Sequence, residues 1–423
     1  MSTFRQARNL WIPWIMTIVV FGFSHAVAQS SYSITDLGTN KSTDNFSMAM
    51  GLNNQGWTEN MDGFVNPPEN SLSTTVARGR AVINRQGVNI DLGTLGSPDS
   101  GNSWINWGGI NDRGEAVGMS ETSVPDPDGE DVCTFGTHLT CVPFLWRDGH
   151  MSALPTVGGN NGQASAINNR GEVVGFAETN AIDPGCPASK IKLPVLWKEG
   201  KAHALPTVDK DPDGFAFGIN DQGQAVGQSN NCTGSIIRAV RWENNTVFAL
   251  PDLGAGSIAQ AINNQGQIAG IIGSADGTTE FGALWLNGEL TNLNTLPGEF
   301  ASIATGINSK GQVVGSFFDS GFDWHGGFIW QNNVMTDLNT LISADANLFI
   351  INASNINERG QISGMAFVHS GPHAGDIHSI LLTPVEGNIG TSMADFARTH
   401  PHAMPANIHN DFSQRFGLGR FQQ

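Results

Sequence analysis

The chain has 423 residues, a formal net charge of -17, and 21 Lys and Arg against 38 Asp and Glu. Binding to a nucleic-acid backbone or to an anionic membrane surface requires clustered Lys and Arg, so this balance argues against both classes. Charged residues make up 14% and hydrophobic residues 39% of the chain, and such a composition can bury a large core.

The N-terminus has the organisation of a secretory signal peptide. Arg5 and Arg8 precede an apolar run over residues 10–23, and a small-x-small cleavage site follows at 26–28. The sequence therefore predicts a signal peptide over 1–28 and a mature chain exported to the extracellular space or the periplasm. The run is shorter than the ~20 residues of a spanning helix, which favours a cleaved signal peptide over the alternative of an uncleaved anchor. No membrane span is expected in the mature chain.

The four cysteines are expected to form disulfides, because an exported chain with an even number of cysteines favours them. Four cysteines allow three pairings. Cys133 and Cys141 share a loop and are the favoured local pair, which leaves Cys186 and Cys232 in matching loops of successive repeats. Zinc binding and free thiols remain open from spacing alone, although the sequence has no Cys-x-x-Cys.

A block of about ten residues recurs seven times. It combines a small residue, Ile or Leu, Asn-x-x-Gly and, in six copies, a short segment ending in Gly. Because Asn and Gly tolerate positive φ, each copy predicts a β-hairpin between strands a and b. The asparagines are Asn53, Asn111, Asn168, Asn220, Asn263, Asn308 and Asn357, separated by 43 to 58 residues.

A second block follows in each repeat and predicts strands c and d. It contains a Leu-Trp-type apolar segment and a Gly- or Asn-rich turn. A Trp at one position of each repeat favours packing between repeats over stacking on a sugar. These residues are Trp146, Trp197, Trp242, Trp285 and Trp330, with Asn84 and Leu382 in the end copies.

The number of strand-like segments indicates how the ends meet. Strands a, b and c occur seven times, but a d segment follows only six c segments, and the missing copy is Ser-Ile-Thr-Asp-Leu-Gly at 33–38. Four short antiparallel strands per repeat are typical of a propeller blade. We predict an all-β, seven-bladed β-propeller of four-stranded blades over 29–386, closed by the N-terminal strand, with a β-solenoid or a two-domain split as alternatives. The polar tail, 387–423, is expected to be disordered or to dock a partner.

The alternating blocks, Ile-Asn-x-x-Gly followed by Leu-Trp and Asp-Gly, resemble the extracellular HAF repeat of bacterial exported proteins. The resemblance covers roughly 33–386 and implies an exported repeat protein, with no established chemistry to transfer. The His-Ala-Phe that names the repeat is poorly kept. Only His378 matches its histidine; the other copies have Arg80, Val142, Leu193, Arg238, Gly282 and Gly327, so that histidine is not expected to be a shared catalytic group.

Two sets of residues are candidates for binding. Trp57, Trp104, Trp107 and Trp324 break the repeat pattern and are the candidates for stacking on a sugar or contacting a partner. Asp209, Asp211 and Asp213 form the opening D-x-D-x-D-G of a calcium loop. Position twelve of such a loop, counted from Asp209, is Asn220 and not the Glu of a helix-loop-helix calcium hand, so no such hand is expected. The alternative to calcium binding is an acidic, solvated loop. Residues 126–131 are a weaker version of the same pattern.

Three further features carry weaker indications. The Glu or Gln after each turn glycine is exchanged between repeats, so it has a bonding role rather than a catalytic one. His369, His373, His378, His400, His402 and His409 crowd the C-terminal end; such clusters bind transition metals, although their spacing does not define a site. The sequence has no GxSxG elbow, Walker loop, HExxH or dinucleotide fingerprint.

These observations favour an exported binding or interaction module for a glycan or protein ligand. The expected cofactor is none, or calcium. The long b–c loops of the early repeats hold all four cysteines and are typical of a recognition surface. The alternative is an extracellular enzyme that acts on a polysaccharide or similar polymer through non-repeating acidic loop residues.

Overall fold

The computed structural model describes residues 31–65, 76–96, 101–343 and 345–385, and within these it leaves out the side chains of a few residues, including Trp107. The predicted signal peptide, 1–28, and the tail, 387–423, lie outside the described residues. The regular structure of the described part consists of strands, with two 3-10 turns at Val208–Lys210 and Leu338–Thr340. We find no helix among these residues with the length and hydrophobicity needed to span a bilayer.

Five antiparallel sheets each contain four consecutive strands, in chain order. The strands are β6 (Ser103–Ile110), β7 (Ala116–Pro125), β8 (Leu139–Arg147) and β9 (His150–Ala153); β10 (Gly162–Ile167), β11 (Val173–Asp183), β12 (Cys186–Lys198) and β13 (Lys201–Ala204); β14 (Asp213–Ile219), β15 (Ala225–Asn230), β16 (Ile237–Glu243) and β17 (Thr246–Ala249); β18 (Ser257–Ile262), β19 (Ile268–Gly273), β20 (Glu280–Leu286) and β21 (Glu289–Asn294); β22 (Ala301–Ile307), β23 (Val313–Phe318), β24 (Trp324–Gln331) and β25 (Val334–Asp337).

A sixth sheet has eight strands and unites the two ends of the described chain. One parallel pair, Phe46 with Ile377, joins its two groups of four, and β1 pairs antiparallel with β28 from Ser31–Val385 to Gly38–Ser379. The N-terminal strand therefore completes the C-terminal group, as the missing d segment predicted. The strands are β1 (Ser31–Gly38), β2 (Phe46–Leu52), β3 (Thr58–Val65), β4 (Val76–Arg85), β5 (Val88–Asp91), β26 (Leu348–Ile356), β27 (Ile362–Val368) and β28 (Ile377–Val385).

Two kinds of turn join the strands, and the repeated motifs explain both. In the c–d turns both central residues have positive φ, which is the type I′ geometry that matches strand twist. In the a–b turns of the described residues, positive φ occurs at the motif glycine, between 72° and 81°, and not at the asparagine. The asparagine therefore recurs for another reason, which lies in its side-chain hydrogen bonds.

The repeated tryptophans pack between neighbouring sheets, as their recurrence predicted. Trp197, Trp242 and Trp285 are 1–2% exposed. Their indole N–H groups donate at 2.7 Å to the backbone oxygens of Pro155, Pro206 and Pro251, which follow the last strand of the preceding sheet. Trp330 is also buried, and Trp146 is half-buried. An indole that is buried with its N–H paired serves as core and is not free to stack on a ligand.

Both favoured disulfides are present in the structure. Cys133 in the β7–β8 loop is bonded to Cys141 on β8, and Cys186 at the start of β12 is bonded to Cys232 in the β15–β16 loop. The second bond therefore links two neighbouring sheets, from the beginning of a c strand in one to the b–c loop of the next.

Candidate functional site

Each a–b turn is organised by the side chain of its asparagine, and Asn220 shows the pattern. Its Oδ1 accepts the backbone N–H groups of Gln222 and Gln224, both at 3.0 Å. Its backbone oxygen accepts the N–H of Gly223 at 3.0 Å. Its Nδ2 donates to Oε1 of Gln224 at 2.8 Å. The side chain thus satisfies the turn's backbone donors, which Asn does by reaching two residues along its own chain.

The second hydrogen of each Nδ2 reaches the neighbouring repeat. Every asparagine donates to the backbone oxygen of the next one, at 2.9–3.1 Å, and the last donates to the first. The bonds run Asn53 to Asn111, Asn111 to Asn168, Asn168 to Asn220, Asn220 to Asn263, Asn263 to Asn308, Asn308 to Asn357 and Asn357 to Asn53. We call these seven residues the asparagine ring.

The Glu or Gln after the turn glycine supports the ring, which is the bonding role its exchangeability predicted. Glu172 accepts the Nδ2 of Asn168 at 2.8 Å and is paired with Arg170 and Lys198. Burial opposes its ionisation, but the hydrogen bonds from Lys198, Arg170 and Asn168 prevail and lower the pKa of Glu172 to about 2. Glu115 has the same environment, with Arg113 and Arg147 as its partners.

A second circle of polar side chains lies one residue beyond the asparagine ring. We call it the rim: Asn54, Asp112, Asn169, Asp221, Asn264, Ser309 and Glu358. The Nδ2 of Asn169 donates to Oδ2 of both Asp112 and Asp221, at 3.1 and 3.2 Å. Asn54 and Asn264 donate through Nδ2 to the same Oδ2 atoms of Asp112 and Asp221, at 3.0 and 3.1 Å. Amides and carboxylates therefore alternate along this part of the rim.

A cavity of about 180 Å³, the ring pocket, is lined by the ring asparagines and rim residues of every repeat except the sixth, which contributes Ile307. The aliphatic residues that precede the ring asparagines also line it, which gives an apolar lining beneath amide and carboxylate groups. None of its described lining residues is aromatic. Sites for drug-sized ligands span ≈ 300–1,000 Å³, so this pocket suits one compact group. Sequence reasoning missed it, although a polar residue followed the motif asparagine in all seven copies.

Of the aromatic residues chosen from the sequence, two lie in the core and not at a surface. Trp104 and Trp324 are each 1% exposed, within the largest hydrophobic cluster, so their prediction as stacking platforms is wrong. Trp57 is half-buried, and the guanidinium of Arg85 lies 4.2 Å from its ring centroid. Trp107 is on β6, and its side chain is outside the described part.

The predicted calcium loop does not gather its carboxylates. Asp211 accepts from Arg238 at 2.7 and 2.8 Å and from Ser229 at 2.8 Å, so a cation of the protein already neutralises it. Asp213 accepts the backbone N–H of Lys192 at 2.8 Å, and burial raises its pKa to about 6. Asp209 is exposed with a φ of 50°. The three side chains have different environments, and the geometry gives calcium no support here.

The weaker pattern over 126–131 does bring carboxylates together. Asp126, Asp128 and Glu130 offer oxygens that lie within 4.8 Å of one another. The ammonium group of the buried Lys190 is bonded to Asp128, and the Nδ2 of Asn161 donates to Asp126 at 2.8 Å. Lys190, on β12, therefore supplies a cation of the protein to this cluster, which connects the β7–β8 loop to the neighbouring sheet.

Solved structures similar to this chain include β-propeller proteins. No protein-family model matches the sequence, and the search of curated proteins gives no match. The β-propeller domain of the Trilobed protease from Pyrococcus furiosus is 11% identical, with 73% of this chain and 95% of that chain covered and a TM-score of 0.37. Acylaminoacyl peptidase from Pyrococcus horikoshii is 10% identical, with 86% and 55% covered and a TM-score of 0.45.

TolB from Acinetobacter baumannii is 12% identical, with 81% of this chain and 64% of that chain covered and a TM-score of 0.40. The chain spans less than two thirds of the length of TolB and of the peptidase. These similarities concern the fold alone. The protein is an all-β chain of repeated four-stranded antiparallel sheets, with β-propellers among its structural neighbours.

Proposed function

We propose that the protein is an exported, closed, seven-bladed β-propeller related to the HAF-repeat proteins, and that it acts as a binding module. Seven four-stranded groups, the cyclic order of the asparagine ring and the pairing of β1 with β28 support the closed ring. The two disulfides support export, because such bonds persist in oxidising compartments.

The ring pocket is the proposed binding site, and the ligand is the compact hydroxyl-rich end of a glycan. Amide and carboxylate groups around an apolar lining can both donate and accept hydrogen bonds, as a ring of hydroxyl groups requires. The observation that carries the proposal is the alternation of Asn169 with Asp112 and Asp221 at the rim. These groups hold one another in place, so little side-chain ordering remains when a ligand binds.

A glycan panel tests the proposal, with titration calorimetry and the shift in melting temperature as readouts. Native-state binding raises the melting temperature by mass action. Asn169→Ala removes the amide between the two rim carboxylates and is expected to weaken binding at least about tenfold, or ~1.4 kcal/mol. The matched control is Asn347→Ala, an exposed amide bonded to Ser370 on a b–c loop, which is expected to bind normally. No binding by the panel, or equal loss in both variants, would contradict the proposal.

The second candidate function is hydrolysis of a glycan, which is favoured by the two rim carboxylates Asp112 and Asp221, called here the rim pair. Glycosidases use a pair of Asp or Glu residues on either side of the scissile bond. If the rim pair is catalytic, glycans that bind are also cleaved, and Asp112→Asn and Asp221→Asn each abolish product formation while binding persists. Chromatography of glycans incubated with the protein separates the two functions, since a binding module returns them intact.

A further inference from the structure

A cluster of metal-ligating side chains lies where the two ends of the described chain meet, away from the asparagine ring. His373 and Asp376 belong to the β27–β28 loop, and His378 is on β28. One ligand atom from each of the three lies within 4.8 Å of the others. The Nδ1 of His373 lies 3.1 Å from Oδ2 of Asp376, and the Nε2 of His378 lies 4.0 Å from the same oxygen.

His378 supplies the observation that points to a ligand. The residue is 5% exposed, and its Nε2 is a buried atom without a hydrogen-bond partner among the described residues. A buried polar atom that stays unpaired costs about 1–3 kcal/mol, so a partner is expected. The nitrogen lies on the side of the ring that faces Asp376.

The other nitrogen of His378 is held by a carboxylate from the N-terminal strand. Its Nδ1 lies 2.9 and 3.0 Å from the two carboxylate oxygens of Asp36. Asp36 in turn accepts the backbone N–H of Gly38 at 2.8 Å. A carboxylate that accepts Nδ1–H leaves the lone pair on Nε2 and fixes the plane of the ring, which is the arrangement found behind metal-bound histidines.

We propose that His373, Asp376 and His378 bind a divalent transition-metal ion of the zinc class, with Asp36 as a positioning residue. Two imidazoles and one carboxylate are a ligand set that zinc accepts, with a fourth place left for water. Calcium prefers oxygen ligands only and does not fit. Because β1 provides Asp36 and β28 provides His378, the metal would fasten the b–c loop to the junction of the N-terminal and C-terminal strands.

The full chain, stripped of metal with chelator, tests the proposal with cobalt and zinc as probes. Co²⁺ is expected to give the visible absorption of a low-symmetry site, Zn²⁺ to displace it, and Zn²⁺ to raise the melting temperature. His373→Ala and Asp376→Asn change half-buried or exposed side chains and are expected to abolish all three signals. Asp36→Asn is expected to weaken zinc affinity about 10- to 100-fold, since it removes only the support of His378.

Two controls separate this site from other histidines. His325 is also an imidazole between carboxylates, 3.0 Å from Glu299 and 3.6 Å from Asp319, but no second histidine from the described part of the chain joins it. His325→Ala is expected to keep the cobalt spectrum and the zinc shift. The triple variant of His400, His402 and His409 to Ala is expected to keep them as well.

Three results would overturn the proposal. One is a chain that gives no cobalt spectrum. Another is a zinc shift that survives in His373→Ala and Asp376→Asn. The third is loss of the signals only when the tail histidines are replaced. In each case His378 would be an ion-pair partner of Asp36 and nothing more.

Discussion

In the first repeat, residues 57–62 after the turn glycine read Trp-Thr-Glu-Asn-Met-Asp, whereas residues 224–229 of the fourth repeat read Gln-Ala-Val-Gly-Gln-Ser. The asparagine turn is the same in both, since Asn53 and Asn220 each cap two backbone N–H groups and donate to the next repeat. The turn therefore does not depend on the strand that follows it.

The strands behind the two turns differ in what they bury. Val226 and Glu59 occupy corresponding positions, and both are 0% exposed. Neither carboxylate oxygen of Glu59 has a hydrogen-bond partner among the described residues, and burial raises its pKa well above the ordinary value. Gly227 allows β14 of the same sheet to approach closely, because a Cβ at this position would lie 2.0 Å from the backbone oxygen of Phe215. The corresponding residue of the first repeat is Asn60. The buried strand that follows the turn, and not the turn itself, distinguishes the first repeat.

Removing a ring asparagine is the largest perturbation. Asn220→Ala deletes four side-chain hydrogen bonds and leaves buried backbone donors unpaired, so we expect a loss of about 4–5 kcal/mol in the free energy of unfolding. Asn53→Ala is expected to cost about 1 kcal/mol less, because Trp57 replaces the Glu or Gln that would accept the second Nδ2 bond. Urea titrations of both variants measure the difference, and equal losses would contradict it.

The pH dependence of stability also distinguishes the first repeat. Burial raises the pKa of Asp62 to about 7, with the bond from Ser47 acting against the shift and the charge of Asp44 reinforcing it. The folded state then keeps a proton that the unfolded chain releases near pH 4, so stability falls as the pH rises from about 4 to 7, by roughly 4 kcal/mol.

Asp62→Ser, which places the residue of the second and fourth repeats there, is expected to remove the part of this dependence that Asp62 contributes, while the buried Glu59, whose pKa is also raised, keeps the remainder. Thermal melts between pH 4 and 8 provide the measurement. If the wild-type chain gained stability over this range, the buried acid would not be protonated as described.

Glu59→Val restores the apolar residue of the second, third, fourth and sixth repeats. We expect it to stabilise the fold by about 1–3 kcal/mol, because it removes a buried carboxyl that has no partner among the described residues. The reverse change, Val226→Glu, serves as the matched variant and is expected to destabilise by at least as much. A destabilising Glu59→Val would show that the carboxyl is engaged in the native protein.

The smallest effect is expected from Glu172→Gln, which places the residue of the last four repeats in the third. The bond from Asn168 is kept, and only the pairs with the half-exposed Arg170 and Lys198 are lost, so we expect less than about 1 kcal/mol at neutral pH. Since the pKa of Glu172 is lowered, the pairs stabilise above its unfolded pKa and the contribution disappears as the pH falls toward 2. Equal acid sensitivity of both proteins would contradict this.

Features repeated in the sequence could be predicted, because one motif was seen seven times. The a–b hairpins, the c–d turns, the packing of Trp197 and its equivalents, and the pairing of the 33–38 segment with the last repeat all followed from strand patterns. The two disulfides followed from loop sharing.

Features that depend on contacts between distant residues could not be predicted. Arg238 neutralises Asp211 across the b–c side of one sheet, which no spacing rule reveals. Trp104 and Trp324 interrupt the repeat, yet both fill the core, and a break in the repeat pattern alone does not tell a buried residue from an exposed one. The ring pocket forms only where the a–b turns of distant repeats come together, so no single repeat reveals it. The pairing of His378 with Asp36 likewise joins residues that are 342 positions apart in the sequence.

The pairing of β1 with β28 also means that β1 is synthesised long before the strand it pairs with. Ser33 bonds to Thr383, 350 residues further along the chain. At ribosomal rates of about 5–20 residues per second, the first strand waits roughly 20–70 s before its partner exists. An unpaired strand edge invites association with other chains during that interval. Chaperone demand should therefore be concentrated at the beginning of the polypeptide, and a circular permutant that begins at the first a strand should shorten the delay to a few seconds.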